Sequence, residues 1–454
     1  MEYRTLNPAT EELLESFPLA TDAEIEGAIE GARKAFESWR GLAFERRAEP
    51  LIAAAASLEA RAEELGRLMA VEMGKPLAEG IAEANKCAVG CRYYAEHAAA
   101  YLAADSRESD GSEAFVRFDP LGPVLAIMPW NFPFWQFFRF AAPALMAGNA
   151  VLLKHSPNTP RCALAIEGLM RDAGFPDGLV RSLFLSNEQA AAVIGDSRVR
   201  GVTLTGSTRA GREVASCAGK HLKTMVMELG GSDPFIVFED ADLDEAVRVG
   251  VLARCQNSGQ SCIAAKRFLV QREVWDPFLE KFSAAMEAMT VGDPLAAEVR
   301  IGPLARADLR ESLARQVAES LAGGARALCG AERLPGPGYF YPPTVLVDVV
   351  QGSPAADEEL FGPVATLIPF GDEAEAVGLA NRTAYGLGAS LWTASADRAR
   401  RLAGQVEAGA VFVNGMVKSD PRLPFGGVKD SGFGRELSRE GILEYVNLKT
   451  VWIR

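Results

Sequence analysis

Between residues 123 and 228, short apolar runs alternate with stretches that have the periodicity of amphipathic helices. The apolar runs lie at 124–127, 150–153, 179–184, 201–204 and 224–227, and the helical stretches lie near 135–147, 161–173, 187–195 and 209–217. Strands that are apolar on both faces and separated by helices predict a parallel sheet with helices on both sides. Because ligands bind such sheets beyond the carboxyl ends of the strands, the loops after these runs are the first places to look for a site.

The segments on either side of this unit differ in texture. The first hundred residues are predicted to be mostly helical, and Thr21 and Glu24 have the spacing of a capping box. The helical patterns run over about 21–39, 46–72 and 77–103. The polar stretch 105–113 is predicted to be a loop, and a second unit of strands and helices begins near Ser232.

Length and charge exclude several classes of function. The chain has 454 residues, enough for two or three domains, and its 48% apolar and 24% charged residues are ordinary for a globular protein. A formal net charge of −13 argues against a nucleic-acid partner, because binding a phosphate backbone needs a basic face. The sequence has no run of about 18 apolar residues and no apolar leader-like stretch at its N-terminus. We therefore expect no membrane partner and a cytoplasmic location.

Cysteine usage indicates chemistry more clearly than histidine usage does. The seven cysteines are odd in number and scattered, which favours free thiols in a reducing compartment. With three histidines and no HExxH pattern, no metal site is expected. Cys262 follows a stretch of small and amide residues that favours a tight loop, although a cysteine is most often a small buried hydrophobe. Glu228, just before two glycines, is either a turn acid or a base for water or for this thiol.

The loop after the first apolar run holds Asn131, which is a plausible N-cap for a helix that begins with proline. Phe132, Trp135, Gln136 and Arg139 then fall on one face of that helix. A cation and an amide among aromatic rings are unusual for a plain core. This face would suit a pocket for a small anion.

The loops after the second and fourth runs favour phosphate or ribose. Lys154 at a strand end is either solvated surface or a ligand for ribose hydroxyls or a phosphate. The stretch 205–211 leads into a helix, whose first backbone N–H groups favour phosphate. Arg212 and Glu213 stand where a Walker A loop needs Lys and Ser or Thr, and the chain has no GxGxxG. A dinucleotide site is indicated by these loops and not demonstrated.

Six segments together resemble the aldehyde dehydrogenase superfamily, in order and at family-like separations, from about residue 6 to the end. They are 129–133, 205–211, 228–231, 256–262, 359–363 and 424–435. The resemblance implies an α/β fold with a Rossmann-like cofactor domain, an α/β catalytic domain and a small β oligomerisation arm. It assigns 1–106 and 122–228 to the cofactor domain, 229–435 to the catalytic domain, and 107–121 and 436–454 to the arm. Edge strands in such an arm imply a homodimer or homotetramer.

The same resemblance implies oxidation of an aldehyde with NAD or NADP, through a thiohemiacetal and then a thioester on Cys262. The thiolate would attack the aldehyde carbon, Asn131 and the Cys262 backbone N–H would hold the oxyanion, and Glu228 would activate the hydrolytic water. The implied cofactor-binding residues are Trp130, Lys154, Ser156, Pro157, Gly206, Ser207, Leu229, Glu359 and Phe361.

Among subfamilies, the chain is most similar to bacterial succinate-semialdehyde dehydrogenases, through 135–139, 154–155 and 414–420. A substrate that ends in a carboxylate needs a cation and hydroxyl donors at the far end of its pocket. The resemblance gives these roles to Arg139 and Ser419. The implied substrate-binding residues are Phe132, Trp135, Gln136, Arg139, Gln256, Ser261 and Ser419.

Two departures from the family pattern leave alternatives open. Gln256 stands where some members carry an Arg, which bears on the substrate and not on the reaction. Pro157 stands where NAD-preferring relatives often carry a Glu, so NAD and NADP are both open, with a slight preference for NAD. The alternative functions are a dehydrogenase of another short-chain aldehyde or semialdehyde, such as glutarate semialdehyde, and a coenzyme A-acylating enzyme, which Glu228 disfavours. A catalytically silent binding protein is disfavoured because Cys262 and Asn131 are also present.

Overall fold

The computed structural model describes residues 2–454, and its first part contains a hairpin, a group of helices and the start of a small sheet. These elements are β1 (Tyr3–Leu6), β2 (Leu13–Phe17), α1 (Asp22–Trp39), α2 (Phe44–Ala60), α3 (Ala62–Met73), α4 (Leu77–Tyr101), β3 (Asp105–Ser106) and β4 (Glu113–Pro120). The capping box at Thr21 is confirmed: its side chain accepts from the Glu24 N–H, and the Glu24 carboxylate accepts from the Thr21 N–H. The long helical pattern at 46–72 is divided, because Arg61 leaves the helical conformation at φ −105° and ψ 13°.

The middle part alternates strands and helices as the sequence predicts. Its elements are β5 (Pro123–Ile127), α5 (Trp135–Ala147), β6 (Ala150–Lys154), α6 (Pro160–Asp172), β7 (Val180–Ser182), α7 (Asn187–Gly195), β8 (Gly201–Thr205), α8 (Thr208–Lys220) and β9 (Thr224–Glu228). Strands β5, β6 and β8 are almost entirely buried, which confirms the prediction of strands covered on both faces for the centre of the sheet, whereas the edge strand β7 is partly exposed.

The last part is a second, larger α/β unit followed by a return of the chain to the first one. Its elements are β10 (Asp233–Val237), α9 (Leu243–Cys255), β11 (Ala265–Gln271), α10 (Trp275–Glu287), α11 (Ala307–Ala322), β12 (Arg326–Cys329), β13 (Thr344–Val347), α12 (Pro354–Asp357), β14 (Val364–Phe370), α13 (Glu373–Asn381), β15 (Tyr385–Gly386), β16 (Gly388–Trp392), α14 (Ala396–Ala403), β17 (Ala410–Val413), β18 (Val428–Lys429), β19 (Gly432–Phe433), α15 (Ser438–Leu443) and β20 (Val446–Ile453). Short 3-10 turns lie at Gln256–Gly259 and Arg272–Val274.

The first sheet has the strand order β19-β9-β8-β5-β6-β7, and all its strands are parallel except β19. The chain runs from β5 to β6 and β7 on one side, and then returns to place β8 and β9 on the other side of β5. This reversal leaves a crevice beyond the carboxyl ends of β5 and β8, where such sheets bind ligands. Strand β19 pairs with β9 so that Gly432 faces Glu228, which brings the C-terminal region to this crevice.

The second sheet has the order β12-β13-β14-β11-β10-β16-β17, with only β12 antiparallel among its strands. Separate apolar clusters lie beneath its helices, whereas one continuous cluster joins the N-terminal helices to the first sheet. Among residues 2–454, no helix is long and apolar enough to span a lipid bilayer.

A small third sheet joins two segments that are distant in sequence. Strand β4 pairs with β20 in antiparallel register from Val446 opposite Pro120 to Ile453 opposite Glu113. The prediction of a loop over 105–113 was wrong at its ends, because β3 and the first residue of β4 lie there. The apolar side chains of Leu448 and Trp452 are exposed on β20. An oligomerisation role for this sheet stays a prediction.

Candidate active site

The Cys262 thiol lies just after a backbone turn that few residues can adopt. Helix α9 ends at Cys255, and Asn257, Ser258 and Gly259 follow with φ of 55°, 57° and 74°. Left-handed conformations are costly for residues other than glycine, and such strain persists only where the surroundings over-determine the backbone. At Gly259 a Cβ atom would lie 2.3 Å from the carbonyl carbon of Gly362, so only glycine fits there.

Contacts from three other segments hold this turn in place. The Asn257 N–H donates to Glu79 Oε2 at 2.6 Å, and the Asn257 side chain donates to the Asn131 carbonyl at 2.7 Å. Ser258 Oγ accepts from the Gly302 N–H at 2.9 Å. Glu79 is buried, which raises its pKa to about 7. The turn is therefore a preorganised support for the thiol, and Glu79 is a participant that sequence reasoning missed.

Asn131 is not the N-cap of helix α5. The helix begins at Trp135 with Phe134 in the cap position, so the N-cap interpretation was wrong. The Asn131 side chain instead donates to the Gln260 carbonyl at 3.0 Å, across 129 residues of sequence. Its Oδ1 accepts from Gln136 Nε2 at 3.0 Å, which fixes the rotamer of the amide. The side-chain amide N–H of Asn131 is thereby held at the carbonyl of Gln260, two residues before Cys262 in the sequence.

The Cys262 side chain is half-buried, and its thiol is hard to ionise. Burial raises the pKa of the thiol to about 12, although the positive charges of Arg139 and Lys266 oppose this. Lys266 is fully buried and donates to the Ser261 and Cys262 carbonyl oxygens at 2.9 and 2.8 Å. A thiol must become a thiolate to act as a nucleophile, so this site needs a base.

Glu228 lies at the carboxyl end of β9 and can serve as that base. Its side chain is buried, and within residues 2–454 neither carboxylate oxygen has a hydrogen-bond partner. Burial raises its pKa well above the usual range, and the neighbouring Glu436 adds to this, whereas Arg139 opposes it. A Cβ on Gly426 would approach Glu228 Oε1 to 2.8 Å, so this glycine leaves room for the carboxyl group.

The charge of Arg139 has a partner that the sequence did not reveal. Its guanidinium forms a buried ion pair with Glu436, and its Nη2 donates to Thr205 Oγ1 at 3.3 Å. The guanidinium carbon lies 4.6 Å from the centre of the Phe425 ring. These contacts fix Arg139 between the first sheet and the C-terminal return of the chain. Its predicted role as the ligand of a substrate carboxylate stays a prediction.

Trp135 and Ser419 contact each other and a lysine that sequence reasoning missed. Trp135 Nε1 donates to Ser419 Oγ at 3.0 Å, and Lys86 Nζ donates to the same oxygen at 2.7 Å. The Lys86 ammonium lies 4.4 Å from the centre of the Trp135 ring. Lys86 belongs to an alanine-rich helix with no local motif, so no sequence signal could have marked it.

The remaining predicted substrate residues border the Cys262 turn. Phe132 is half-buried, with the Lys75 ammonium 3.9 Å from its ring centre. The Ser261 hydroxyl is buried and, within residues 2–454, has no hydrogen-bond partner. Gln256 is half-buried at the end of α9. These three positions lie in or against the turn, and their contact with a substrate stays a prediction.

The loop after β6 has polar groups suited to the sugar and phosphate of a dinucleotide. Lys154 is buried, and burial lowers its pKa to about 8, yet within residues 2–454 its ammonium has no ion-pair partner. Ser156 Oγ donates to Asn158 Oδ1 at 2.7 Å, and the buried Asn158 Nδ2 has no partner among the same residues. The Pro157 carbonyl accepts from the Arg4 N–H, so the N-terminal hairpin supports this loop. These unpartnered donors fit a ribose or a ribose phosphate.

The loop after β8 lies in the crevice of the first sheet. Ser207 is the N-cap of α8, where its hydroxyl accepts from the Ala210 N–H at 3.3 Å. The Gly206 N–H donates to the Glu228 carbonyl at 2.9 Å, which ties this loop to β9. A Cβ on Gly211 would lie 2.5 Å from the Leu229 side chain, so Leu229 packs closely on the first turn of α8. The exposed start of α8 can accept a phosphate.

Glu359, Phe361 and Trp130 lie close to the loop that carries the Cys262 thiol. Glu359 Oε1 accepts from the Gly231 N–H at 3.0 Å and lies 3.5 Å from Lys266 Nζ. The Trp130 and Phe361 rings meet edge to face with centres 5.8 Å apart. A ring wall and a half-buried carboxylate therefore stand next to the Cys262 loop, on residues from both α/β units.

Comparison with known proteins places this chain in one family. Residues 1–451 match the model of the aldehyde dehydrogenase family. The chain is 50% identical, over all of both chains, to a Synechocystis sp. protein named probable succinate-semialdehyde dehydrogenase (NADP+) and to a Mycobacterium bovis protein named succinate-semialdehyde dehydrogenase (NADP+) 1. A crystal structure of succinic semialdehyde dehydrogenase from Streptococcus pyogenes in complex with NADP+ superposes with a TM-score of 0.97 at 36% identity, covering 99% of each chain.

Proposed function

The chain belongs to the aldehyde dehydrogenase family and is an NAD(P)-dependent aldehyde dehydrogenase, and we propose that it oxidises succinate semialdehyde to succinate with NADP. The reaction is supported by the unpartnered, buried Glu228, whose charge acts on the Cys262 thiol, and by Asn131, which is held at the loop that carries this thiol. The substrate is supported by full-length identity of 50% to relatives with that name.

The first chemical step is attack by sulfur on the aldehyde carbon. We propose that Glu228, once deprotonated, accepts the Cys262 proton, because burial destabilises both the thiolate and the carboxylate and a proton can move between them at little cost. The Asn131 side chain and the Cys262 backbone N–H then donate to the oxyanion of the thiohemiacetal. Gln136 holds the Asn131 amide in its rotamer, so the donor needs no reorganisation.

The cofactor's residues are proposed from the unpartnered donors of the two loops. When bound, NADP supplies the acceptor for the hydride of the aldehyde. Lys154, Ser156 and Asn158 would hold the adenosine ribose and its phosphate, and Gly206 with Ser207 would face the pyrophosphate. Glu359 would hold the second ribose, with Trp130 and Phe361 as walls. The remaining predicted contacts, Pro157 and Leu229, shape the cleft.

NADP is proposed over NAD, and the slight preference for NAD from the sequence finds no support among the relatives. Both relatives described above carry NADP+ in their names, and the Streptococcus pyogenes structure contains NADP+. In this chain, the ammonium of Lys154 lacks a carboxylate partner within residues 2–454. A cation of this kind favours the doubly charged 2′-phosphate of NADP.

Glu228 is also proposed to release the product. The thioester on Cys262 must be hydrolysed, and Glu228 can take a proton from the attacking water once it has released the thiol proton to solvent. Glu228 lacks hydrogen-bond partners among residues 2–454, so no existing bond must break when it turns toward that water. The positive charge of Arg139 opposes the rise in the Glu228 pKa that burial causes, and so favours the deprotonated form.

The experiment that tests this function compares two aldehydes of equal carbon number and two cofactors. We expect the purified protein to reduce NADP with succinate semialdehyde about 100-fold more efficiently than with butyraldehyde, which corresponds to roughly 2.7 kcal/mol of transition-state discrimination. NAD is expected to be the poorer cofactor. Equal rates for the two aldehydes would be consistent with a dehydrogenase but would contradict succinate semialdehyde as its preferred substrate. Reduction of neither cofactor would favour the binding-protein alternative.

Three further assignments are proposed together with this function. The domain boundaries are proposed as predicted, with the cofactor domain at 1–106 and 122–228 and the catalytic domain at 229–435. The sheet of β3, β4 and β20 is proposed to pair with another subunit in a homodimer or homotetramer, since exposed apolar side chains line β20. A cytoplasmic location is proposed because all seven cysteines are free thiols.

A further inference from the structure

We propose that Lys86 is the cation that binds the substrate carboxylate, and that it does so together with the hydroxyl of Ser419. This inference rests on the proposed function, because it supplies the charge recognition that a semialdehyde acid requires. Lys86 lies on α4, far in sequence from both Trp135 and Ser419. Its Nζ lies 2.7 Å from Ser419 Oγ and 4.4 Å from the centre of the Trp135 ring.

Lys86 is the cation of this pocket whose charge has no carboxylate partner within residues 2–454. Arg139 forms an ion pair with Glu436. Lys75 forms a buried ion pair with Glu83. Lys86 is half-buried, and the partial loss of water makes its positive charge costly unless an anion arrives. An incoming carboxylate would remove that cost.

The acids closest to Lys86 are already engaged elsewhere. Besides its ion pair, the Glu83 carboxylate accepts from the Phe134 and Trp135 N–H groups at 2.9 Å each. Asp420 accepts from Arg422 Nε and Nη2 at 2.8 and 2.6 Å. Neither acid is therefore free to neutralise Lys86, and burial together with the nearby Arg139 lowers the Lys86 pKa to about 8. An anionic ligand would raise it again.

The hydrogen bonds of Ser419 leave its own proton available. Its oxygen accepts from both Lys86 Nζ and Trp135 Nε1, and within residues 2–454 its hydroxyl donates to no other group. The O–H of Ser419 and a second N–H of Lys86 can therefore reach the same carboxylate. Two donors of which one is charged recognise an anion more selectively than a neutral group of equal size.

The backbone around this pair is rigid enough to act as a binding site. Glu83 lies one turn before Lys86 on α4 and caps the two backbone N–H groups at the start of α5, so it fixes α4 against Trp135. Lys86 and the Trp135 ring are thus held by the same helix-to-helix contact. A charged donor on such a support keeps its geometry when the ligand binds.

The test uses the variant Lys86→Met, which keeps the apolar stem and removes the charge. We expect kcat/KM for succinate semialdehyde to fall about 10- to 100-fold, mainly through KM, because a charge-assisted hydrogen bond to the carboxylate is lost; this fall corresponds to about 1.4–2.7 kcal/mol. The value for butyraldehyde should change less than about twofold. Lys86→Arg should recover most of the loss because it keeps the charge. As a matched control, Lys34→Met on the exposed face of α1 should alter neither substrate.

Equal losses for both aldehydes, or no loss for either, would overturn the proposal. Inhibition by the product succinate is measured as well, so that a wrong assignment of Lys86 can be distinguished from a failure of the proposed function. If the wild type shows no preference for succinate semialdehyde, the proposed function fails on its own. The role of Lys86 would then stand if Lys86→Met weakens succinate inhibition at least about tenfold, and fall if it leaves inhibition unchanged. If Lys86→Met does not fold, Lys86→Gln is compared with Lys86→Arg by the same two measurements.

Discussion

Arg139 and Glu436 form a buried ion pair that joins helix α5 to the C-terminal return of the chain. Both side chains are only 3% exposed. Removing one partner of a buried pair is strongly destabilising, because the other charge is left without compensation. The pair therefore stabilises the surroundings of Glu228, where the positive charge of Arg139 also opposes the rise in the Glu228 pKa.

Replacing Arg139 by Leu should destabilise the protein by about 3–5 kcal/mol, because Glu436 stays buried and unpaired. The Arg139→Leu variant should lose a similar fraction of its activity with succinate semialdehyde and with butyraldehyde. The measurements are denaturant unfolding and steady-state kinetics with both aldehydes. Arg212→Leu, which breaks the exposed pair of Arg212 with Asp430, serves as the control and should cost less than about 1 kcal/mol. A loss of activity confined to succinate semialdehyde would indicate that Arg139 binds the substrate carboxylate.

Cys262→Ala should abolish aldehyde oxidation and leave NADP binding nearly intact, because only the nucleophile is removed. Quenching of protein fluorescence by NADP measures binding, and cofactor reduction measures turnover. Cys255→Ala is the control: this buried thiol contacts Met286 and lies outside the reacting groups, so the variant should keep its activity. Oxidation by Cys262→Ala near the wild-type rate would remove the nucleophile assignment.

Glu228→Gln should stall the hydrolysis of the thioester. An amide can take a proton neither from the Cys262 thiol nor from water, so acylation should slow, and the succinyl-enzyme that forms from NADP and succinate semialdehyde should persist because its hydrolysis is stalled. Mass spectrometry of the intact protein detects the adduct, and rapid mixing should show that the first turnover of cofactor reduction, as well as the steady state, is slower than in the wild type. A variant that turns over normally and carries no adduct would show that another group activates the water.

The sequence predicted the elements of the first sheet closely, because each depends on local periodicity. Helices α5 and α7 begin and end where the apolar patterns placed them. The strand alternation predicted the parallel sheet, and a parallel sheet predicts where its ligand loops meet. The helix caps around the first sheet were harder to predict. The local preference of asparagine predicted a cap at Asn131, whereas its side chain is positioned by a hydrogen bond to the Gln260 carbonyl, 129 residues away.

Charge pairing across the fold is the part that the sequence could not show. From the sequence alone Arg139 is a cation without an evident partner, and only the structure shows its ion pair with Glu436. From the sequence alone nothing distinguishes Lys86 on its alanine-rich helix from other lysines, and only the structure shows its contacts with Ser419 and Trp135. Both relationships depend on which helices pack together, and residue spacing carries no information about that packing.

Replacing Lys154 by Met tests the cofactor preference. If Lys154 binds the 2′-phosphate, KM for NADP should rise about 10- to 100-fold, in line with roughly 1.5–3 kcal/mol for a charged hydrogen bond, and KM for NAD should rise less. Lys220→Met at the exposed end of α8 is the control and should alter neither KM. Equal increases for NADP and NAD would indicate that Lys154 binds a group common to both cofactors, such as a ribose hydroxyl.

The pH dependence of stability provides a last test of Glu228. Burial raises its pKa above the unfolded value of about 4.3, so the folded state binds its proton more tightly. Its contribution to stability is therefore complete below pH 4.3 and is lost as pH rises through the folded pKa, at up to about 1.4 kcal/mol per pH unit. Glu228→Gln lacks this loss, so it should match the wild type near pH 4 and exceed it at pH 8 in urea unfolding. The exposed Glu213→Gln should follow the wild type at every pH. Parallel curves for Glu228→Gln and the wild type would mean that the Glu228 carboxyl group is hydrated in the folded protein.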